Sequence, residues 1–385
     1  MAKIKEYRKN DGSMNYEFSV YIGTNPYTGK KERTTRRGFT SIKEAELALA
    51  QIRLDVANGK FKFNKPAKTF GEVTKLWLPI YKRTVKEVTY TATVSIIDLF
   101  ITPMFGDKLI DKIDVMYCQR IVNNWADERP RTFKKSKFYV GKIFDYAVNI
   151  GVVDDNPMKK VLMPRVQVEP RKIGFYDKDE LNKFLAYAQE FDQNKVYTFF
   201  RLLAYSGMRK GEAYALTWED VDFEKNQISI SKSLARGENK TLYISSPKTK
   251  GSVRTISMDK DTMNHLKRWR NTQRQLLLKL GHPTKKNDQN LFTTDENEYY
   301  HPTVDKHWLK RIYNQKNVPK DFKQISTHGF RHTHASLLFE AGASVKSVQD
   351  RLGHSDITTT MNIYAHVTEA ARDKTADLFA DYISK

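Results

Sequence analysis

Cysteine is almost missing from this sequence: Cys118 stands alone in 385 residues. One thiol excludes an intrachain disulfide and any zinc site built on cysteines. It falls in Asp114-Val115-Met116-Tyr117-Cys118, an apolar helical stretch in which a buried thiol is expected. No apolar run is read as approaching the roughly 20 residues that a membrane helix needs. The opening Met1-Ala2-Lys3-Ile4-Lys5-Glu6 holds no apolar signal segment. A reducing cytoplasm, with no membrane partner, is therefore expected. Internal repeats and low-complexity tracts are also lacking. Negative charge is scarce: 66 Lys and Arg face 45 Asp and Glu, leaving +21. A chain this basic is expected to meet a polyanion, most commonly nucleic acid. Carboxylates do not cluster as a metal-dependent nuclease requires. An HExxH motif is excluded because Gly329 follows His328, and His332 and His334, two apart, diverge on a helix. Neither a metal nor another cofactor is predicted.

Hydrophobic residues are present in quantity, 39% of the chain with 21 Phe and 20 Tyr, and the length suits two or three domains. Residues 1–64 read as strands followed by a helix. Positions 16–22 alternate, 25–29 supply turn residues, and 31–38 return as a partner strand. Ser41, with Glu44 three residues on, is a capping-box signature for a helix over 45–57. The returning segment carries Lys30, Lys31, Arg33, Arg36 and Arg37. Such a run suits a solvated edge strand, or equally a ribbon with cations on one face for a DNA groove.

Residues 65–163 open on a linker, Lys65-Pro66-Ala67-Lys68, and then read as helices throughout. The first begins at Thr69, with Phe70, Val73, Leu76, Trp77 and Tyr81 at helical spacing. A second runs through Val94, Ile97, Leu99, Phe100 and Ile101 and is ended by Pro103 and Gly106; Asp114 opens a third, and 133–150 forms a fourth. Before and within that last segment, Arg131, Lys134, Lys135 and Lys137 suit phosphate contacts. Residues 164–174, with two prolines, read as a second linker. Over 175–385 helices are expected near 177–190, 196–205, 259–280, 303–317, 328–341 and 345–352. Three short strands are expected near 227–231, 241–245 and 253–257.

The chemistry concentrates in this last part. Tyr205-Ser206-Gly207-Met208-Arg209-Lys210-Gly211-Glu212 follows an apolar helix, breaks at Gly207 and starts again. Arg209 thus falls at a helix start, where backbone N–H groups favour an anion, although a lone arginine there is ordinarily a surface cap. His328 and Arg331, three apart at another helix start, point to one side. His354 follows in Leu352-Gly353-His354-Ser355, ten residues before Tyr364. Tyr382 is the nearest rival phenol, but it lies in an amphipathic segment with Leu378, Phe379 and Ile383.

This ordered set resembles the tyrosine recombinase family, the phage integrases and their relatives, of the phage and conjugative-transposon type. The motifs cover roughly residues 175–366, and the upstream domain order is similar too. The resemblance implies a multidomain α+β fold: a small β-sheet-plus-helix N-terminal domain that binds arm-type sites (1–64), an all-α core-binding domain (65–163), and, after the linker, a mainly α catalytic domain with a small antiparallel sheet (175–385). The last two would form a C-shaped clamp around duplex DNA. It further implies DNA cleavage and rejoining through a 3′-phosphotyrosyl bond on Tyr364, with Arg209 and Arg331 on the non-bridging oxygens. His328 matches the family's general base or phosphate-binding histidine, His354 its second phosphate-side histidine, and Glu212 a bracing acid. The proton for the leaving 5′-hydroxyl would come from Lys248, or alternatively Lys250, in the hairpin read over 246–254.

These residue types suit that reaction. A tyrosine with a pKa of about 10 needs a neighbour to accept its proton. Guanidinium forks hold phosphate oxygens at fixed geometry. The covalent bond conserves energy, so religation needs neither ATP nor metal. The implied partners are double-stranded DNA with core-type and arm-type attachment sites, and a homo-tetramer passing through a Holliday junction. A host DNA-bending protein and an excisionase are further candidates, in the nucleoid-associated cytoplasm of a bacterial host. A tyrosine-class topoisomerase would share the chemistry, but the small basic N-terminal unit and the Leu-Gly-His box favour an integrase. A purely DNA-binding regulator would not need the full set.

Overall fold

A computed structural model describes residues 3–9, 12–24, 29–60, 68–168, 174–246, 250–282, 287–353, 357–358 and 360–361. The chain divides into two compact units, Met1–Val168 and Glu169–Lys385.

The first unit holds two separate apolar cores. In the smaller, strands β1 (Ile4–Arg8), β2 (Met14–Thr24) and β3 (Lys31–Phe39) form an antiparallel sheet in that order, followed by helix α1 (Ile42–Ala57). Phe18, Val20 and Ile22 alternate along β2 and are buried with Ala45 and Leu49 of α1. Ser41 accepts from the Glu44 N–H at 3.2 Å, but the Glu44 carboxylate accepts from Thr40 N and Oγ1, one residue before the cap, so only half of the expected capping box forms. β1 was not expected; its mostly exposed side chains carry no alternation signal. The register also corrects the reading of one cationic face. Arg33 lies opposite Tyr21 and Arg37 opposite Glu17, with an ion pair at 2.7 Å, whereas Arg36 lies opposite the buried Phe18 and so belongs to the other face.

The larger core is helical: α2 (Phe70–Lys82), α3 (Glu87–Ile96), α4 (Thr102–Phe105), α5 (Val115–Glu128) and α6 (Phe133–Asn149). Thr69 and Glu72 form a complete capping box, and the Asp114 carboxylate accepts from Tyr117 N at 2.7 Å. The rings of Phe70, Phe105 and Phe144 meet at 5.3–5.4 Å between centroids. Cys118 is buried, and burial, with Asp114 nearby, pushes its thiol up to about 12. The second helix ends at Gly106, as expected, but runs through Pro103. A π-turn over Ile97–Ile101 joins α3 to α4, and Thr102 N bonds Ile97 O. The wider turn accommodates a residue that offers no N–H and would crowd the carbonyl four residues back. The run Glu87–Phe105 is therefore one helix of 19 residues, long and apolar enough by composition to cross a membrane. This corrects the expectation that no such run exists, although its Ile97, Ile101 and Phe105 pack into the helical core. Lys134 and Lys135 are exposed at the start of α6, between the buried Phe133 and Ser136; Arg131 is exposed and Lys137 half-buried.

In the second unit the elements are α7 (Lys178–Phe191), α8 (Lys195–Ser206), α9 (Lys210–Ala215), β4 (Val221–Asp222), β5 (Gln227–Ile230), β6 (Ser233–Arg236), β7 (Leu242–Ser245), β8 (Arg254–Ser257), α10 (Lys260–Lys279), α11 (Val304–Tyr313), α12 (Thr327–Glu340) and α13 (Val345–Leu352). Helix α8 is its axis: nine of its twelve residues are buried, and Phe199 and Phe200 pack in a cluster with Phe184, Phe292 and Phe330. The sheet is not a single one. β4, β5 and β8 pair in that order, while β6 and β7 form a separate antiparallel pair. β7 and β8, the expected arms of the hairpin read over 246–254, therefore do not pair with each other among the described residues. Tight turns join β4 to β5, where Asn226 takes positive φ, and β6 to β7, where Asn239 and Lys240 do.

Candidate active site

Helix α8 ends at Gly207, which adopts the left-handed conformation (φ 64°, ψ 11°). A Cβ there would lie 2.6 Å from both His334 Cδ2 and Leu352 Cδ2, so sign of φ and space both require glycine. The sharp exit puts Arg209 at the N-cap of α9. Its backbone N–H donates to Glu212 Oε2 at 2.9 Å and its Nη1 to Oε1 at 2.9 Å, while its side chain stays 42% exposed. Glu212 is buried and receives a second guanidinium: Arg254 Nη2 donates to Oε2 at 2.9 Å and Nη1 to Oε1 at 3.3 Å. Burial pushes the Glu212 carboxyl up, but the bonds and charges of Arg254 and Arg209 outweigh it and hold the pKa below the usual range. Glu212 is thus an anion that fixes the arginine at the mouth from behind.

Arg331, only 2% exposed, approaches from α12. It donates through Nη1 to Gly207 O (2.9 Å) and through Nη2 to Leu352 O (2.6 Å), joining the turn before Arg209 to the end of α13. Burial and the neighbouring Arg209 and Arg254 charges lower its pKa to about 9, with Glu212 opposing them. It remains a cation at neutral pH. One turn earlier, His328 is exposed on the wall of a cleft of about 540 Å³ that Arg209 also lines. Partial desolvation, then the charges of Arg331 and Arg209, hold its imidazole below the usual range, so it is neutral at pH 7. His332 meets it edge-on at 4.9 Å between ring centroids, and burial lowers His332 to about 4.

A second layer supports this arrangement. His334 is buried, with Nδ1 2.8 Å from Ala204 O, a pure acceptor, so Nδ1 carries the proton and Nε2 accepts from Arg351 Nε at 2.9 Å. Arg351 also donates to Ser257 O and Tyr205 O, and its own carbonyl accepts from Arg254 Nε at 2.8 Å. The ends of α8, β8 and α13 are thus stitched behind Glu212 and Arg331.

Comparison with known proteins supplies the family. The model described as "Phage integrase family" matches residues 175–371, 197 of the 385. The chain belongs to the phage integrase family. Two further models match upstream, an arm DNA-binding domain over 3–56 and a phage integrase N-terminal SAM-like domain over 69–126. A "tyrosine recombinase XerC-like" protein of Caldanaerobacter subterraneus subsp. tengcongensis is 29% identical, covering 99% of each chain. The ICEBs1 integrase of Bacillus subtilis is 27% identical, covering 96% of this chain and 97% of the relative. The fold is shared with the Tn1549 transposon integrase solved in complex with a circular intermediate DNA (TM-score 0.61, 22% identity, 80% of this chain and 99% of that one). Members of the phage integrase family named in this way are tyrosine recombinases, and this chain has that reaction class, site-specific DNA recombination.

Of the residues read from the sequence, the integrase fold brings Arg209, Glu212, His328 and Arg331 together. Lys248, His354 and Tyr364 lie outside the described residues; Lys250 begins a short 3₁₀ turn. Arg254 and Arg351 were not singled out as site residues. A buried cation is indistinguishable from a surface one among 66, and only the proximity of Arg254 to the Lys248 segment, and of Arg351 to Leu-Gly-His, was available as a signal.

Proposed function

We propose that this integrase inserts a mobile element, prophage or conjugative transposon, into a bacterial chromosome and also excises it, through Tyr364 and a 3′-phosphotyrosyl intermediate. The observation that carries the reading is the convergence of Arg209, braced by the buried Glu212, with the Arg331 cation and a neutral His328. In this reading the two arginines neutralise the charge that develops on the phosphate. His328 accepts a hydrogen bond or proton from the phenol as its oxygen attacks phosphorus. The leaving 5′-oxygen takes a proton from Lys248 or Lys250, His354 binds a second phosphate oxygen, and reversal by another 5′-hydroxyl rejoins the strands without ATP or metal. Four protomers on two core-type sites would exchange strands through a Holliday junction in the cytoplasm, with a host bending protein and an excisionase setting direction.

Residues 1–64 take the arm-type sites in this scheme, with Lys30, Lys31, Arg33, Arg36 and Arg37 as contacts. Residues 65–163 take the core site with Arg131, Lys134, Lys135 and Lys137, and 164–174 link them to the catalytic domain at 175–385. Counterion release makes binding strongly salt-dependent.

The test uses duplex DNA nicked beside the cleavage point, which traps the covalent adduct. Tyr364→Phe should abolish the adduct and leave DNA binding nearly intact; adduct at the full level in that variant would remove Tyr364 as the nucleophile. Deleting 1–64 should impair integration while sparing core-site cleavage, and normal integration by the truncated chain would end the arm-site assignment.

A further inference from the structure

Two residues adjoin the candidate catalytic groups in sequence without belonging to them: Lys210 follows Arg209, and Thr327 precedes His328. Both reach one carboxylate. Lys210 Nζ donates to Asp305 Oδ1 at 3.0 Å and Oδ2 at 3.1 Å, and also to Pro302 O at 2.7 Å. Thr327 Oγ1 donates to Asp305 Oδ2. Asp305, in the first turn of α11, is fully buried. All three line the cleft that Arg209 and His328 share.

A buried carboxylate is a poor source of stability even when paired, because a well-packed apolar residue fills such a position at less cost. What a carboxylate supplies that hydrocarbon does not is direction: two charged or polar donors, from the first turns of α9 and α12, held at hydrogen-bond length from one fixed point. We propose that Asp305 is a positioning residue for recombination, a strut that sets the spacing of Arg209 and His328 so that both meet the same phosphate. The inference rests on the reading that these two groups serve one phosphodiester. Asp305 touches neither DNA nor the reacting atoms. It acts through the residue next to each catalytic group.

The experiment measures the rate of covalent adduct formation by the full chain at saturating nicked DNA, alongside DNA affinity and Tm. Asp305→Asn should leave affinity unchanged and slow adduct formation by about 100-fold, the scale of a misplacement of roughly 1 Å. The double variant Lys210→Met with Asp305→Leu removes both charges, the buried carboxylate and its half-buried partner; it should regain Tm and remain slow. Thr327→Ser, which keeps the hydroxyl, should retain the rate that Thr327→Val loses. An adduct rate that recovers together with Tm in the double variant would reduce Asp305 to a stability role, and an undiminished rate in Asp305→Asn would overturn the strut directly. An unmutated chain that forms no adduct would instead defeat the recombination reading beneath it.

Discussion

The helical core at residues 70–161 and the catalytic unit bury different things. Among the described residues of the helical core, the buried polar side chains are Thr74, Thr93, Ser136 and Asn156, none of them charged. The catalytic unit buries Glu212, Asp305, Arg331 and His334. Hydrocarbon burial stabilises whatever its arrangement, whereas a charge taken from water costs free energy unless its partners are in place. A region whose task is shape can be built on Phe70, Phe105 and Phe144. A region that must hold two guanidiniums a few ångströms apart, against their repulsion, needs a buried anion among them.

The largest stability effect that would sharpen this contrast is Glu212→Gln. It strips the counter-charge from Arg254 and Arg209 and should destabilise the catalytic unit by about 3–5 kcal/mol. Denaturant unfolding of the full chain, followed by probes in each unit, should show the helical transition unmoved; a neutral result would break the contrast outright. Acid comes next. All nine histidines lie beyond residue 264, so only the catalytic unit carries imidazoles. In the fold His334 is lowered to about 3 and His332 to about 4, and His328 is lowered as well, against an unfolded value of 6.5. The unfolded chain therefore binds protons that the folded one refuses. Stability is fully present above pH 6.5 and is lost as pH falls toward 3, by up to about 1.4 kcal/mol per pH unit for the buried His334. Thermal unfolding at pH 7 and pH 5 should lower the catalytic transition far more than the helical one; equal shifts would contradict it. The smallest effect belongs to the helical core: Thr69→Ala removes one half of a capping box, should cost about 1 kcal/mol, and should leave adduct formation unchanged.

How legible each region was follows the same division. Caps and periodicity are local, so Thr69, Asp114, Asp177 and Asp259 marked helix starts that the structure contains, and the break at Gly207 placed Arg209 correctly at a cap. β4, two residues long, is too short for alternation to register. The π-turn hid because hydrophobic spacing does not reveal an extra residue in a turn. Asp305 was illegible for a different reason. Val304-Asp305-Lys306-His307-Trp308 reads as an amphipathic helix start with a solvated acid, and only the positions of Lys210 and Thr327, 95 and 22 residues away, turn that acid inward.

Gly207 carries a consequence for anyone who would retarget this enzyme. Its carbonyl holds Arg331, its φ is one that side chains avoid, and the space over its α-carbon is already taken by His334 and Leu352. Libraries aimed at new DNA sequences should leave that codon untouched, since a side chain there would crowd His334 and Leu352 and disturb the carbonyl that holds the Arg331 guanidinium.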